Sequence, residues 1–460
     1  MVDMDFIRYY NIVNCFDEHE FSISFVLRSL LQFARSKVTK RVFMSNYSQR
    51  RPAQAGRQSH FRSPTRSRKP AFKKDYIDPA RFVRVARPTT IEAYEPENMF
   101  ADFDLHELLQ ANLARIGFER PTPIQDKTIS LALNGHDIVG IANTGTGKTA
   151  AFALPVLHRL MADENARALI MAPTRELAQQ IEDECRVLGR RAGFFGALLI
   201  GGTSMGTQLR DLRANPRIVI GTPGRIKDHI ERGTLKLENF NIAVLDEVDR
   251  MLDMGFINDI RFILDELNEA RQSFFFSATL DGKIKELING FLSDPQTISV
   301  KTGETSENVN QDVVRYQREA DKIDQLHDIL NGEQVAKVII FDETQRSVER
   351  LFEELLVRGF KVDAIHGGKN QAQRQRAMNR FKRNDISVLV ATDVAARGID
   401  VDDITHVINY STPQSYEDYV HRIGRTGRAG RVGYALTFVP HGAEAQSAPQ
   451  RSYRPYRGRR

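Results

Sequence analysis

A chain of 460 residues, 41% of them apolar, is long enough for two sizeable cores and a tail. Its 65 Lys and Arg outnumber its 59 Asp and Glu, and the net charge of +6 with a pI near 9.2 suits a polyanionic partner. No apolar run approaches the ~20 residues of a membrane span, and Cys15 and Cys185 stand far apart without metal-ligand spacing. These features argue against a membrane helix, a disulfide framework or a zinc site, and a reducing, cytoplasmic setting is expected.

In chain order, the apolar run Phe21–Phe33 follows Asp17-Glu18-His19-Glu20 and is broken by Arg28, which suits neither a signal nor a transit peptide. It reads either as a short amphipathic helix that docks a partner or, preferably, as upstream sequence, with Met44 opening the natural polypeptide and residues 1–43 not native. Residues 45–74 are rich in Arg, Lys, Ser, Gln and Pro, a composition that predicts disorder. The whole of 1–97 is expected to be a largely disordered extension, with a first domain over 98–300.

Asp137–Ala142 is short, apolar and β-branched, which predicts a buried strand. The loop Ala142-Asn143-Thr144-Gly145-Thr146-Gly147-Lys148-Thr149 follows, and Ala150–Leu154 opens a helix that Pro155 is expected to kink or shorten. Gly145 and Gly147 let backbone N–H groups converge on phosphate oxygens, and the helix start adds partial positive charge. Lys148 can reach the β- and γ-phosphates while Thr149 offers its hydroxyl to Mg²⁺. Ala142 departs from the usual glycine. A plain glycine turn is the competing reading, but strand, loop, Lys-Thr and helix in that order argue against it. Downstream, the buried strand Ile242–Leu245 delivers Asp246 and Glu247 at its carboxyl end, where open parallel sheets bind ligands. An acidic pair alone is usually a solvated turn. Beside a phosphate loop, Asp246 can hold Mg²⁺ through water and Glu247 can orient or deprotonate the attacking water.

A polar link over 301–310 separates a second domain, 311–441. Lys337–Phe341 and Ser387–Ala391 read as buried parallel strands, and Thr344–Phe352 as a charged amphipathic helix. After the strand Tyr434–Pro440 a basic tail, 442–460, interleaves arginine with tyrosine and could grip RNA by charge and stacking.

In order and spacing the motifs resemble those of DEAD-box RNA helicases of bacterial type, over roughly Phe100 to Pro440, with Val248 where the Asp-Glu-Ala-Asp motif has alanine. The resemblance implies an α/β fold of two tandem RecA-like domains, each a mostly parallel sheet with helices on both faces, plus disordered basic tails. Gly117–Gln125 resembles the family's Q motif: Gln125 is implied to bond the adenine edge and Phe100 to pack on the ring, favouring ATP. Pro173, Thr174 and Arg175, the pair Gly201-Gly202, and Thr222, Pro223, Gly224 and Arg225 match RNA-backbone contacts; none has the form of base readout. Ser277, Ala278 and Thr279 match the segment that couples hydrolysis to strand separation.

In the second domain, His366-Gly367-Gly368 has glycine where the family usually has aspartate, and Gln371, Arg374, Thr392 and Gly398 are implied to lie toward RNA. The resemblance further implies that Asp400 lies near the ribose, that His421 links the ATP site to Ser277–Thr279, and that Arg425 and Arg428 act as arginine fingers on the γ-phosphate. The catalytic set is thus Lys148, Asp246, Glu247, His421, Arg425 and Arg428, with ATP and Mg²⁺ as cofactors. A family helix commonly covers the second sheet after its last strand; here that sheet is expected to be less covered, or covered by a remnant around Ala443–Ala445.

The expected function is RNA-stimulated ATP hydrolysis with local, non-processive unwinding of short RNA duplexes or remodelling of RNA–protein complexes, by a monomer. Ribosome-assembly or RNA-decay proteins are the implied partners. The alternatives are an ATP-dependent DNA helicase and a nucleotide-gated RNA clamp.

Overall fold

The computed structural model describes residues 77–86, 94–143, 145–193, 196–300, 308–396, 401, 403–428 and 431–442. Residues 1–76 and 443–460, which carry the Phe21–Phe33 run, Met44 and the basic tail, lie outside the described residues.

The first lobe opens with α1 (Glu107–Ile116) and α2 (Pro123–Leu133). Then follow β1 (Ile138–Ile141), α3 (Lys148–Ala162), β2 (Ala168–Met171), α4 (Arg175–Leu188), β3 (Gly196–Leu199), α5 (Met205–Arg213) and β4 (Ile218–Gly221). The lobe continues through α6 (Pro223–Glu231), β5 (Ile242–Leu245), α7 (Val248–Asp253), α8 (Ile257–Asp265), β6 (Gln272–Ser277), α9 (Gly282–Phe291) and β7 (Gln296–Ser299). Its parallel seven-stranded sheet has the order β3-β4-β2-β5-β6-β1-β7.

Strand side chains alternate between two cores, as a period of two requires. Ile138, Ile170, Val244 and Phe274 face the core shared with α1 to α4. Val139, Leu169, Leu245 and Phe275 face the core of α6 to α9. Burial on both faces explains why the strands read as continuous apolar runs.

The second lobe contains β8 (Val309–Tyr316), α10 (Asp321–Leu330), β9 (Val338–Phe341), α11 (Gln345–Val357), β10 (Val362–Ile365), α12 (Gln371–Lys382) and β11 (Val388–Ala391). It closes with α13 (Asp393–Ala396), β12 (His406–Asn409), α14 (Tyr416–Ile423) and β13 (Gly433–Pro440). Its six-stranded parallel sheet is ordered β10-β11-β9-β12-β13-β8. Among the described residues no helix is long and apolar enough to cross a membrane.

Three expectations need correction. Pro155 does not shorten its helix: α3 runs through it to Ala162. One missing N–H costs less here than exposing Phe152, Leu154, Val156 and Leu157, all of which the helix buries. Val309 and Asn310 belong to β8, paired with Gly433 and Tyr434, rather than to the link. Residues 77–86, placed in the disordered extension, are ordered: Pro79–Phe82 form a 3-10 turn whose Phe82 is fully buried against β8, β13 and α14. That contact covers β8 and β13 of the second sheet.

β1 packs closely on β6. A Cβ at Gly140 would meet the Phe276 ring at 2.4 Å. Gly140→Ala is expected to cost about 1–3 kcal/mol through overpacking, read as a lowered urea midpoint for the first lobe.

Candidate functional site

β5, β6 and β1 are neighbours in the first sheet, so their carboxyl ends bring together Asp246, Ser277 and the glycine loop. Gly145 and Gly147 are left-handed, with φ of 81° and 87°. A Cβ on Gly147 would lie 2.4 Å from Gln125 Nε2, so only glycine fits that cradle. Gln125 braces the loop: its Nε2 donates to the Gly147 carbonyl at 3.1 Å, and its Oε1 accepts from the Thr122 N–H at 2.9 Å, closing the start of α2. Thr122 Oγ1 donates to the Thr146 carbonyl at 2.8 Å, and Thr146 Oγ1 to the Asn143 carbonyl at 2.9 Å. Lys148, buried at the start of α3, donates from Nζ to the Ala142 carbonyl at 3.0 Å.

Asp246 is buried, and burial pushes its carboxyl up to about 6, with Lys148 pulling it down and Glu247 pushing it up. Its Oδ1 accepts the Glu247 N–H at 2.9 Å. Glu247 itself is left-handed (φ 52°, ψ 55°) at the start of α7. For a residue with a Cβ such a conformation costs on the order of 1–3 kcal/mol, and it turns the chain sharply at the strand end.

These groups line a cavity of about 350 Å³ together with Thr149 and Phe118, and Arg425 and Arg428 enter it from the second lobe. Arg428 is tied by Nε to the Gly424 carbonyl at 3.0 Å. Behind them Arg422 grips both Asp393 oxygens at 2.5 and 2.7 Å and donates to Asn409 Oδ1 and the Ser411 carbonyl, which fixes α14 on the sheet. His421 shares a small cavity with Arg250, Arg422 and Arg425. Phe100 is not at the cavity: it is buried behind Phe118, ring centroids 5.4 Å apart, and Phe118 is the aromatic that faces the ligand space.

The segment Ser277–Thr279 is held by a residue with no assigned role in the sequence reading. Asp249 Oδ2 accepts the Ala278 and Thr279 N–H groups at 3.0 and 3.2 Å. Asp249 is the last letter of the Asp-Glu-Val-Asp motif, so its place in that motif was the available signal.

A second cavity of about 540 Å³ runs alongside. Pro173, Thr174, Arg175, Glu176, Gly201, Thr222, Gly224 and Arg225 form one wall, and Gly367, Arg374 and Val394 the other. Thr174 Oγ1 caps α4 by accepting the Leu177 N–H at 3.3 Å. Gly202 is left-handed, and a Cβ there would strike Arg175 Nη1 at 2.3 Å, so its bareness leaves room for the guanidinium. Arg374 pairs with Glu176 across the groove at 2.7 Å, both side chains buried. Burial pushes the Glu176 carboxyl up while Arg374 pulls it back. Pro223 starts α6, Gln371 starts α12 and Thr392 precedes α13, so these three support the walls of the groove. Thr144, Gly398 and Asp400 lie outside the described residues.

A phosphate loop on one lobe and arginines on the other, meeting in one cavity, with a second groove that holds three arginines and is walled from both lobes, is the layout of a nucleoside-triphosphate-driven helicase motor. Residues 122–287 match the DEAD/DEAH box helicase family and residues 321–430 the helicase conserved C-terminal domain. The chain is 46% identical over 341 residues to the ATP-dependent RNA helicase CshA of Listeria monocytogenes, covering 74% of this chain and 66% of that relative. It is 45% identical over 342 residues to the DEAD-box ATP-dependent RNA helicase CshA of Bacillus subtilis, covering 74% and 69%. Among solved structures, S. cerevisiae Dbp5 bound to RNA and ADP BeF3 superposes with a TM-score of 0.67 at 30% identity, over 75% of this chain and 90% of that one. The chain belongs to the DEAD-box family of ATP-dependent RNA helicases.

Gly147→Ala should strain the loop and collide with Gln125. A loss of about tenfold or more in nucleotide affinity is expected, measured with a fluorescent ATP analogue, with the far-ultraviolet dichroism unchanged.

Proposed function

We propose that this protein hydrolyses ATP in response to RNA and uses the cycle to separate short RNA duplexes locally, without processive travel. The supporting observation is that Arg425 and Arg428 of the second lobe line the cavity of Lys148, Asp246 and Glu247 of the first. Neither lobe carries a complete site, so ATP favours closure. The adjacent groove is likewise walled from both lobes, by Thr174, Arg175 and Arg225 on one side and Gly367 and Arg374 on the other, so RNA favours the same closure. The groove offers guanidinium, hydroxyl and backbone groups suited to phosphates, which predicts sequence-independent binding.

The residues fit a metal–nucleotide complex. Asp246 is a buried carboxylate beside a lysine, and Thr149 presents a hydroxyl at the mouth of the loop. Thr149 and Asp246 would hold Mg²⁺, which would supply positive charge to offset that of the triphosphate. Lys148 exchanges its bond to the Ala142 carbonyl for the phosphates. Glu247 orients the attacking water and accepts its proton, and Arg425 and Arg428 stabilise charge on the transferring phosphoryl group. Phe118 offers a face for the base, and Gln125 can add a bond to the adenine edge from the amide that already holds Gly147. Loss of phosphate removes what Arg425 and Arg428 hold, and the lobes separate. We place the protein in the cytoplasm, acting as a monomer on RNA.

Lys148→Ala should abolish RNA-stimulated hydrolysis without unfolding the chain; unchanged turnover would refute the site. Comparing stimulation by RNA and DNA separates an RNA from a DNA motor, and displacement of a short labelled strand separates a helicase from a clamp. The pH dependence has a definite sign. The Asp246 carboxyl, pushed up to about 6, must be ionised to hold metal. The Mg²⁺ concentration for half-maximal activity should therefore rise about fourfold between pH 7.5 and 5.5, and a flat Mg²⁺ titration across that range would remove Asp246 as a ligand.

A further inference from the structure

Residues 77–86 precede the first lobe in sequence but lie on the second. The Phe82 ring is fully buried against Tyr419 of α14, centroids 4.6 Å apart, with Ile77 and Ile423 in the same cluster. The Arg81 guanidinium sits 3.8 Å over the Tyr416 ring. Arg84 forms an antiparallel bridge with Gln311 on the outer edge of β8: its N–H donates to the Gln311 carbonyl at 2.9 Å and receives the Gln311 N–H on its own carbonyl at 2.7 Å. The Ala86 N–H donates to Asn310 Oδ1 at 2.8 Å.

Further along, the same chain is fastened to the first lobe at one buried carboxylate. Tyr94 Oη and the Glu97 N–H donate to Asp126 Oδ2, both at 2.7 Å. Asn98 donates to Asp126 Oδ1 from its N–H at 3.3 Å and from Nδ2 at 3.0 Å.

We propose that these two anchored pieces act as a strap across the cleft, holding the lobes near the closed arrangement and coupling α2 to α14. Both anchors fall on elements that build the nucleotide site. Asp126 follows Gln125 on α2, and Tyr419 lies on α14, which leads into Arg425 and Arg428. Eight residue steps join Ala86 to Tyr94, a reach of at most about 28 Å. The lobes are also joined through residues 301–307. While both anchors hold, Ala86 and Tyr94 cannot part by more than that reach, so any wider opening requires one anchor to detach. The strap therefore raises the share of molecules ready to bind ATP and RNA together, and it rests on the closure cycle proposed above.

The test uses the full chain with Phe82→Ala, Asn98→Asp (which sets a carboxylate against Asp126) and the two combined. Each single change is expected to raise both the ATP KM and the RNA concentration for half-maximal stimulation about five- to tenfold, with kcat at saturation within about twofold. The double variant should be no worse than the stronger single, because releasing either end frees the strap. Multiplying effects in the double variant, or no shift in either single, overturns the proposal. Phe82→Leu, which keeps an apolar side chain, should restore most of the effect; equal loss with a lowered melting temperature would mean a purely structural role and also overturns it. An independent readout is energy transfer between dyes at Lys283→Cys and Val357→Cys, both exposed and on opposite lobes, in a Cys15→Ser background. Without RNA or nucleotide, Phe82→Ala should lengthen that distance, and an unchanged distance counts against the strap. If the unaltered chain lacks RNA-stimulated hydrolysis, the proposed function fails while the distance measurement still decides the strap.

Discussion

A triphosphate carries more negative charge than either lobe can neutralise. Lys148 supplies one cation from below, and Arg425 and Arg428 supply two from the opposite side of the cavity. At an effective dielectric near 20, unit charges 4 Å apart interact by about 4 kcal/mol. On the closure cycle proposed above, losing the arginines on opening would be a large change, and it would tie the chemistry to the relative position of two separately folded sheets. Within the second lobe, further contacts hold the arginines' own element in place. Arg422 binds Asp393, Asn409 and Ser411 so that α14 cannot rotate, and the Arg428 guanidinium is steadied by the Gly424 carbonyl.

The first lobe meets the same demand through backbone geometry. Parallel strands end together, so the loop after β1, the carboxylates after β5 and the segment after β6 reach one place without long side chains. The left-handed Glu247 turns the chain at once into α7, which puts Asp249 under the N–H groups of Ala278 and Thr279. The acidic motif thereby connects the nucleotide cavity mechanically to Ser277–Thr279.

Local patterns carried most of this. Short β-branched runs marked β1, β5, β9 and β11 because strands buried on both faces have no polar side to blur the signal. The glycine loop and the arginine run were legible because their chemistry needs fixed spacing. What sequence could not disclose depends on packing between distant segments. Phe100 and Phe118 are both aromatic, and only their stacking order in the folded chain decides which lines the cavity. Pro155 passes through a helix because the neighbouring core outweighs one lost hydrogen bond. Residues 77–86 are rich in apolar side chains but too short to show a clear period, and nothing local reveals that Phe82 finds a prepared surface on α14 more than three hundred positions away. Glu176 and Arg374 stand in separate motifs, and nothing in either announces that they pair.

That last pair has a consequence for how the groove treats anions. Arg374 already has a carboxylate partner, and a phosphate that takes its place must leave Glu176 with a compensating proton or solvent. A single small anion gains little from such an exchange, whereas on the proposed RNA-binding role a chain of phosphates would reach Arg175 as well, while displacing Glu176 from Arg374 and Asp228 from Arg225. On that proposal the groove would rank ligands by length as well as by charge, and a monomeric phosphate in solution would compete poorly for it.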